Sequence, residues 1–200
     1  MTHSTLILSV LCCLSTLSAA GKEPAPPPHT DLVGNARWIV KHSNVSVVAT
    51  QSSFLPGYPF AQSKDVADGV YGSKQGTGIP YIYSSPLAQL VHDFIANPKV
   101  TFAYSAEFTH YCKDEGIDND SPTCGKVMLT GDMVKVTDSV EHAWAWLGMV
   151  RRHPAIIFYP PGHNFAFFKL DIKNIFALDY FGGPTKHLNV TEYLNYTPTW

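Results

Sequence analysis

Cysteine and histidine are the side chains of this sequence best suited to chemistry, and their spacing limits what that chemistry can be. Cys12 and Cys13 lie in an apolar run at the start, so Cys112 and Cys124 are the pair a folded domain would keep. With His110 they offer three metal ligands. No paired C-x-x-C spacing accompanies them, and structural zinc sites use four ligands. Residues 113–123, between the cysteines, hold Asp114, Gly116, Asp118, Asn119, Asp120, Ser121 and Pro122, the composition of a loop. Two cysteines around such a loop read as one disulfide in an oxidising compartment. Closing it contributes about 3 kcal/mol in the chain-entropy picture.

The other motifs are weaker. Nine histidines form neither H-x-H nor a close helical pair. His153 and His163 flank Pro154 and the Pro160-Pro161-Gly162 turn, which points to a structural role in closing a helix. Gly72, Gly76 and Gly78 invite a phosphate-loop reading, but neither G-x-x-x-x-G-K-[ST] nor a strand–G-x-G-x-x-G–helix arrangement follows. G-x-S-x-G and H-E-x-x-H are absent as well. No catalytic set declares itself.

The elements that must position these residues follow from periodicity. Ala36, Ile39 and Val40 recur at i, i+3, i+4 and predict a short helix capped by Asp31. Residues 45–50 and 58–65 read as strands around a Pro56-Gly57 turn, and 79–83 as another after a loose glycine-rich connection. Pro86 suits the first turn of a helix whose apolar face is Leu87, Leu90, Val91, Phe94 and Ile95, ended by Asn97-Pro98. Residues 100–106 lead as a strand into the cysteine loop, and 127–136 form a long strand interrupted near Gly131. Asp138 and Glu141 open a helix that runs to Arg152, with Arg151 and Arg152 favourable to its dipole. Strands at 165–171 and 175–180 stop at Gly182-Gly183-Pro184, and Phe165, Phe167 and Phe168 read as core or interface. Six or seven strands with three irregularly spaced helices predict a mostly β fold with flanking helices, an antiparallel sheet or barrel.

Composition places the chain in a compartment. Residues 6–17 are almost continuously apolar, too short to span a bilayer. With Ser18, Ala19 and Ala20 after them they read as a signal peptide, residues 1–20, cut near Ala20. A proline-rich leader, 21–33, would follow with nothing to bury, then one domain over 34–197. A secreted, extracellular or endolysosomal location is expected, with no membrane span. The net charge of −2 offers no attraction for nucleic acid. Charged residues are 15%, well under the usual quarter or so, which leaves surface polarity for glycans to supply. Sequons stand at Asn44, Asn119, Asn189 and Asn195. Asn189 and Asn195 are the favoured sites; Asn44 opens an apolar strand, and Pro122 follows the sequon of Asn119.

Two stretches resemble a known family. The run from Gly76 to Leu87, with Gly78-Ile79-Pro80-Tyr81, is similar to the strand and helix of FMN-binding split barrels related to pyridoxamine-phosphate oxidase. Ala36-Arg37-Trp38-Ile39-Val40, the Cys112/Cys124 loop, Arg152-His153-Pro154, His163-Asn164-Phe165 and Leu178-Asp179-Tyr180-Phe181-Gly182-Gly183-Pro184 narrow the resemblance to the CREG family of secreted glycoproteins. It implies a six-stranded antiparallel split β-barrel, a homodimer, and glycans handled by a mannose-phosphate-type sorting receptor. It implies no catalytic residues and no cofactor, with a lumenal FMN-dependent oxidoreductase as the alternative. Leu90 and Val91 stand where flavin-binding relatives carry polar groups near the phosphate, and Lys64, Ser84 and Ser85 are the remaining candidates to hold it. The transcriptional repression for which the family was first named is opposed by the signal, the disulfide and the charge.

Overall fold

The computed structural model describes residues 24–69, 76–180 and 185–200. The signal peptide, Gly72 and the Gly182-Gly183-Pro184 stop lie outside them. Helix α1 (Leu32–His42) starts where expected, with the Asp31 carboxylate accepting the Gly34 N–H at 2.8 Å, a cap of the kind that contributes about 1 kcal/mol. The proline segment before it is pinned rather than loose. The Trp38 indole donates to the Pro24 carbonyl at 2.9 Å and the Asn35 amide to the Pro28 carbonyl at 2.9 Å. Both side chains are buried and need acceptors, which the proline segment supplies because its own carbonyls are unspent.

Seven antiparallel strands make one sheet: β1 (Val45–Gln51), β2 (Pro59–Asp65), β3 (Tyr81–Ser84), β4 (Lys99–Ser105), β5 (Lys126–Lys135), β6 (Ala166–Leu178) and β7 (Lys186–Leu188). The order is β2-β1-β4-β5-β6-β3, with the short β7 also paired to β6. The six-strand path curls until its two edges meet: Ala67, just after β2, forms an isolated bridge with Tyr81 of β3. The expected split barrel is what forms.

Three sequence readings change in detail. The two strands read at 165–171 and 175–180 are one strand, β6, with Lys173 bulged out of register. Its partner β5 pairs Thr130 with Asn174 but Gly131 with Ile172. A Cβ on Gly131 would stand 2.0 Å from the Asp171 carbonyl oxygen, so only glycine lets the strands meet there. Second, Pro86 is not in a helical turn. Helix α2 (Gln89–Ala96) begins after an Ala88 N–H to Ser85 carbonyl turn, which leaves Leu87 and Ile95 exposed while Leu90, Val91 and Phe94 enter the core. Third, beyond residue 184, where periodicity predicts no element, stand β7 and helix α5 (Val190–Asn195), whose Tyr193 is fully buried.

The core lies in two parts. Trp38, Val48, Phe102, Leu129, Leu170 and Ile175 belong to the cluster inside the barrel. Ala67, Tyr81, Ala145, Met149 and Phe167 belong to a smaller one that includes helix α4 (Ser139–Arg152). The Asp138 carboxylate caps α4 by accepting the Glu141 N–H at 2.7 Å. His153 closes it as expected, its N–H on the Met149 carbonyl and its ring Nε2 3.1 Å from the Val66 carbonyl. Arg152 is more than a dipole partner, because its guanidinium donates to Asn44 Oδ1 and to the Lys41 carbonyl. Helix α3 (Tyr111–Asp114) is a single turn inside the cysteine loop.

Candidate functional site

The edge strands β2 and β3 carry Lys64 and Ser84, and the ammonium of Lys64 donates to Ser84 Oγ at 3.4 Å across the barrel's seam. Beside this contact opens a cleft of about 360 Å³. Lys64, Ser84 and Ser85, the three residues expected to be able to hold a phosphate, all line it. Strand alternation aims Lys64 at the seam, and the turn at Ser85 brings the second hydroxyl alongside the first. Ser84 and Ser85 are nearly fully buried. Burial pushes the Lys64 ammonium below the usual lysine range, against a smaller upward pull from Asp65.

The rest of the lining is aromatic and apolar. Tyr83 lies nearly parallel to Phe165, with centroids 5.1 Å apart, and to Tyr159 at 6.5 Å. Tyr159 and Phe165 are 5.0 Å apart, and His163 lies 6.2 Å from Phe165. Burial raises the phenol of Tyr83, so it stays neutral. The sequence signalled Phe165 and His163 as structural and gave Tyr83 and Tyr159 no role; the aromatic alternation in 79–83 was the signal available. Leu87 of the lining, and Ile157 and Phe158 between the lining residues Ile156 and Tyr159, project into solvent, Phe158 with 81% of its surface exposed. A second groove of about 380 Å³ adjoins, lined by Pro86, Val91, Phe94, Ile95, Met133 and Phe168 with Lys135 and Asn164.

The other sequence candidates fall elsewhere. Cys112 and Cys124 are joined as a disulfide with Cα atoms 5.7 Å apart, both buried. Among the described residues the one group close enough to hold a metal is Glu107 with these two cysteines, whose sulfurs are committed to each other. His110 takes the left-handed turn that opens α3. The Gly76–Gly78 segment folds around an internal carboxylate instead of a phosphate. Asp68 accepts the Thr77 N–H at 2.7 Å and the Gly78 N–H at 2.8 Å.

The sequons divide. Asn189 and Asn195 are exposed at the two ends of α5, although the Asn189 side-chain Oδ1 caps that helix by accepting the Glu192 N–H at 3.0 Å. Asn119 is exposed and accepts from Ser105 Oγ, and Asn44 is half-buried beneath Arg152. Leu90 and Val91 are core residues with no access to the cleft mouth.

Comparison with known proteins agrees with the resemblance. Among solved structures, the heme binding protein from Mycobacterium smegmatis superposes with a TM-score of 0.62 at 18% identity, covering 86% of this chain and 62% of that one. A protein related to general stress protein 26, of the pyridoxinephosphate oxidase family, from Clostridium acetobutylicum gives 0.55 at 13% identity, over 84% of this chain and 99% of the other. These likenesses establish the split-barrel fold. In sequence, Protein CREG1 of Mus musculus is 40% identical over 87% of this chain and 78% of its own length. Protein CREG1 of Homo sapiens is 38% identical over 89% and 80%. The family model described as "CREG, beta-barrel" matches residues 27–195. With that match and those identities, the chain belongs to the CREG family.

Proposed function

We propose that this protein is a secreted or endolysosomal CREG-type glycoprotein that acts by binding, as a homodimer, rather than by catalysis. The observation that carries the reading is the apolar rim of the cleft. Leu87 of the aromatic-lined cleft, and Ile157 and Phe158 between its lining residues Ile156 and Tyr159, stand exposed, as a surface does when another copy covers it. Asn189 and Asn195 project from α5 as glycan sites for a mannose-phosphate-type receptor. Among the described residues no helix is long and apolar enough to cross a membrane, and the net negative charge opposes a nucleic-acid partner.

The alternative, an FMN-dependent oxidoreductase, draws on Lys64, Ser84 and Ser85 meeting in one cleft. The fit to flavin is poor. A phosphate dianion would find one lysine, with the Asp65 carboxylate in the same lining.

Protein secreted from eukaryotic cells tests both readings at once. Expected are a colourless dimer by light scattering and a glycosidase-sensitive mass lost in the Asn189→Gln, Asn195→Gln double variant. A monomer without glycan would sink the first reading, and stoichiometric bound flavin would establish the second.

A further inference from the structure

Lys64, Ser84 and Ser85 form a cluster of groups that each keep a proton unspent. An ammonium has three N–H bonds, and among the described residues Lys64 uses them for one partner, Ser84 Oγ at 3.4 Å. Ser84, having accepted that bond, retains its own O–H. Ser85 Oγ accepts the Leu87 N–H at 3.2 Å and retains its O–H too. Both serines are buried, Ser84 to 2% exposure and Ser85 to 5%, so unused donors here are costly. They line the same cleft, next to the start of α2, which has neither a side-chain cap nor an acidic residue in its first turn. The ammonium, the two unspent hydroxyls and the uncapped start of α2 all favour negative charge.

The amount of charge is limited. Lys64 is the one lysine or arginine of the lining, His163 is its other basic side chain, and Asp65, a carboxylate within it, is 49% exposed with His153 Nδ1 at 3.8 Å. A single ligand charge faces the Lys64 ammonium; a second would find no further lysine or arginine to meet it. The rest of the lining offers aromatic faces: the Tyr83 ring lies 14° from parallel to Tyr159 and 22° from Phe165, with Tyr159 and Phe165 tilted by 35°. The geometry points to a small aromatic monocarboxylate as the ligand of this cleft. Its carboxylate is held by Lys64 Nζ and the Ser84 and Ser85 hydroxyls, and its ring lies against Tyr83 and Phe165. This assignment is independent of whether the protein is secreted or glycosylated, and it is a different ligand class from a flavin phosphate.

Calorimetric titration of the full secreted protein at pH 8, where a free imidazole is neutral, tests it with four probes: phenylacetate, benzyl alcohol, phenyl phosphate and FMN. Phenylacetate is expected to saturate one site per chain with a Kd on the order of 1 mM or tighter. Lys64→Met should weaken it at least tenfold, and Ser84→Ala several-fold. Benzyl alcohol should give no saturable heat, and phenyl phosphate and FMN should bind more weakly than phenylacetate. Undiminished binding in Lys64→Met, equal binding of benzyl alcohol, or tighter binding of either phosphate overturns the proposal. Should Lys64→Met fold poorly, Lys64→Arg and Ser84→Ala decide instead. Retained affinity in the first with loss in the second supports the site, and no loss in Ser84→Ala removes it.

Discussion

Two polar clusters at helix α2, one centred on its Asp93 and one beside its start, handle hydrogen bonding in opposite ways. In the first the Asp93 carboxylate, fully buried, accepts four bonds of 2.8 Å: from Thr50 Oγ1, from the N–H and Oγ of Ser53, and from Gln89 Nε2. In the second Lys64, Ser84 and Ser85 present donors to a cleft. Asp93 is an anion saturated from within by hydroxyl and amide donors. The cleft is a matching set of donors whose anion is not part of the chain. The difference teaches that a polar cluster's role is read from whether its bonds are spent. Asp93 ties the β1–β2 hairpin to α2, while the seam cluster has bonding capacity left for a ligand.

Breaking the saturated side should have the largest effect. Asp93→Ala leaves Thr50, Ser53 and Gln89 without their acceptor, and a loss of about 3 kcal/mol is expected. In thermal unfolding that is a fall of roughly 6–12 °C for a chain of this size; a fall under 2 °C would show that the four bonds hold nothing. Acid should erase the same contribution. Burial pushes the Asp93 carboxyl up, but the bonds from Ser53, Gln89 and Thr50 outweigh it and hold the group below its ordinary value. A folded value beneath the unfolded one stabilises above about pH 4 and is lost as pH falls through the folded value. The stability gap between wild type and Asp93→Asn should therefore stay constant from pH 7 to 5 and narrow below about 4. A gap that closes by pH 6 would contradict the assignment.

Smaller changes sharpen the contrast. Thr50→Val removes one of the four donors and should cost about 1 kcal/mol by chemical denaturation. Lys64→Met, on the unsaturated side, should change stability by less than about 0.5 kcal/mol, or raise it, because it relieves a half-buried charge with one long hydrogen bond. A loss comparable to that of Asp93→Ala would make the cleft lysine a structural residue after all.

Much of the fold was legible because local signals agreed with it. Asp31 and Asp138 cap the helices they were expected to cap, and Gly131 marks the register shift in β5. The misreadings have physical causes. Lys173 looked like a break because a bulge interrupts alternation without ending the strand. Leu87 and Ile95 fitted a helical stripe, but periodicity does not tell a core face from a rim. The site was half legible. Lys64, Ser84 and Ser85 stood out by chemistry, whereas Tyr83 and Tyr159 join them through contacts between β3 and a turn some seventy residues later, which sequence spacing does not encode.

Arg37 carries a consequence for how the chain is made. Its guanidinium, 2% exposed, donates to the carbonyls of Tyr193 and Tyr196, separated from it by 156 and 159 residues. Synthesis delivers the first helix early and its acceptors about 8–30 s later at roughly 5–20 residues per second. A nascent chain therefore holds a cation that cannot settle into its place until the segment of α5 has emerged. Closure of this fold waits on that helix, after every strand of the sheet has been made.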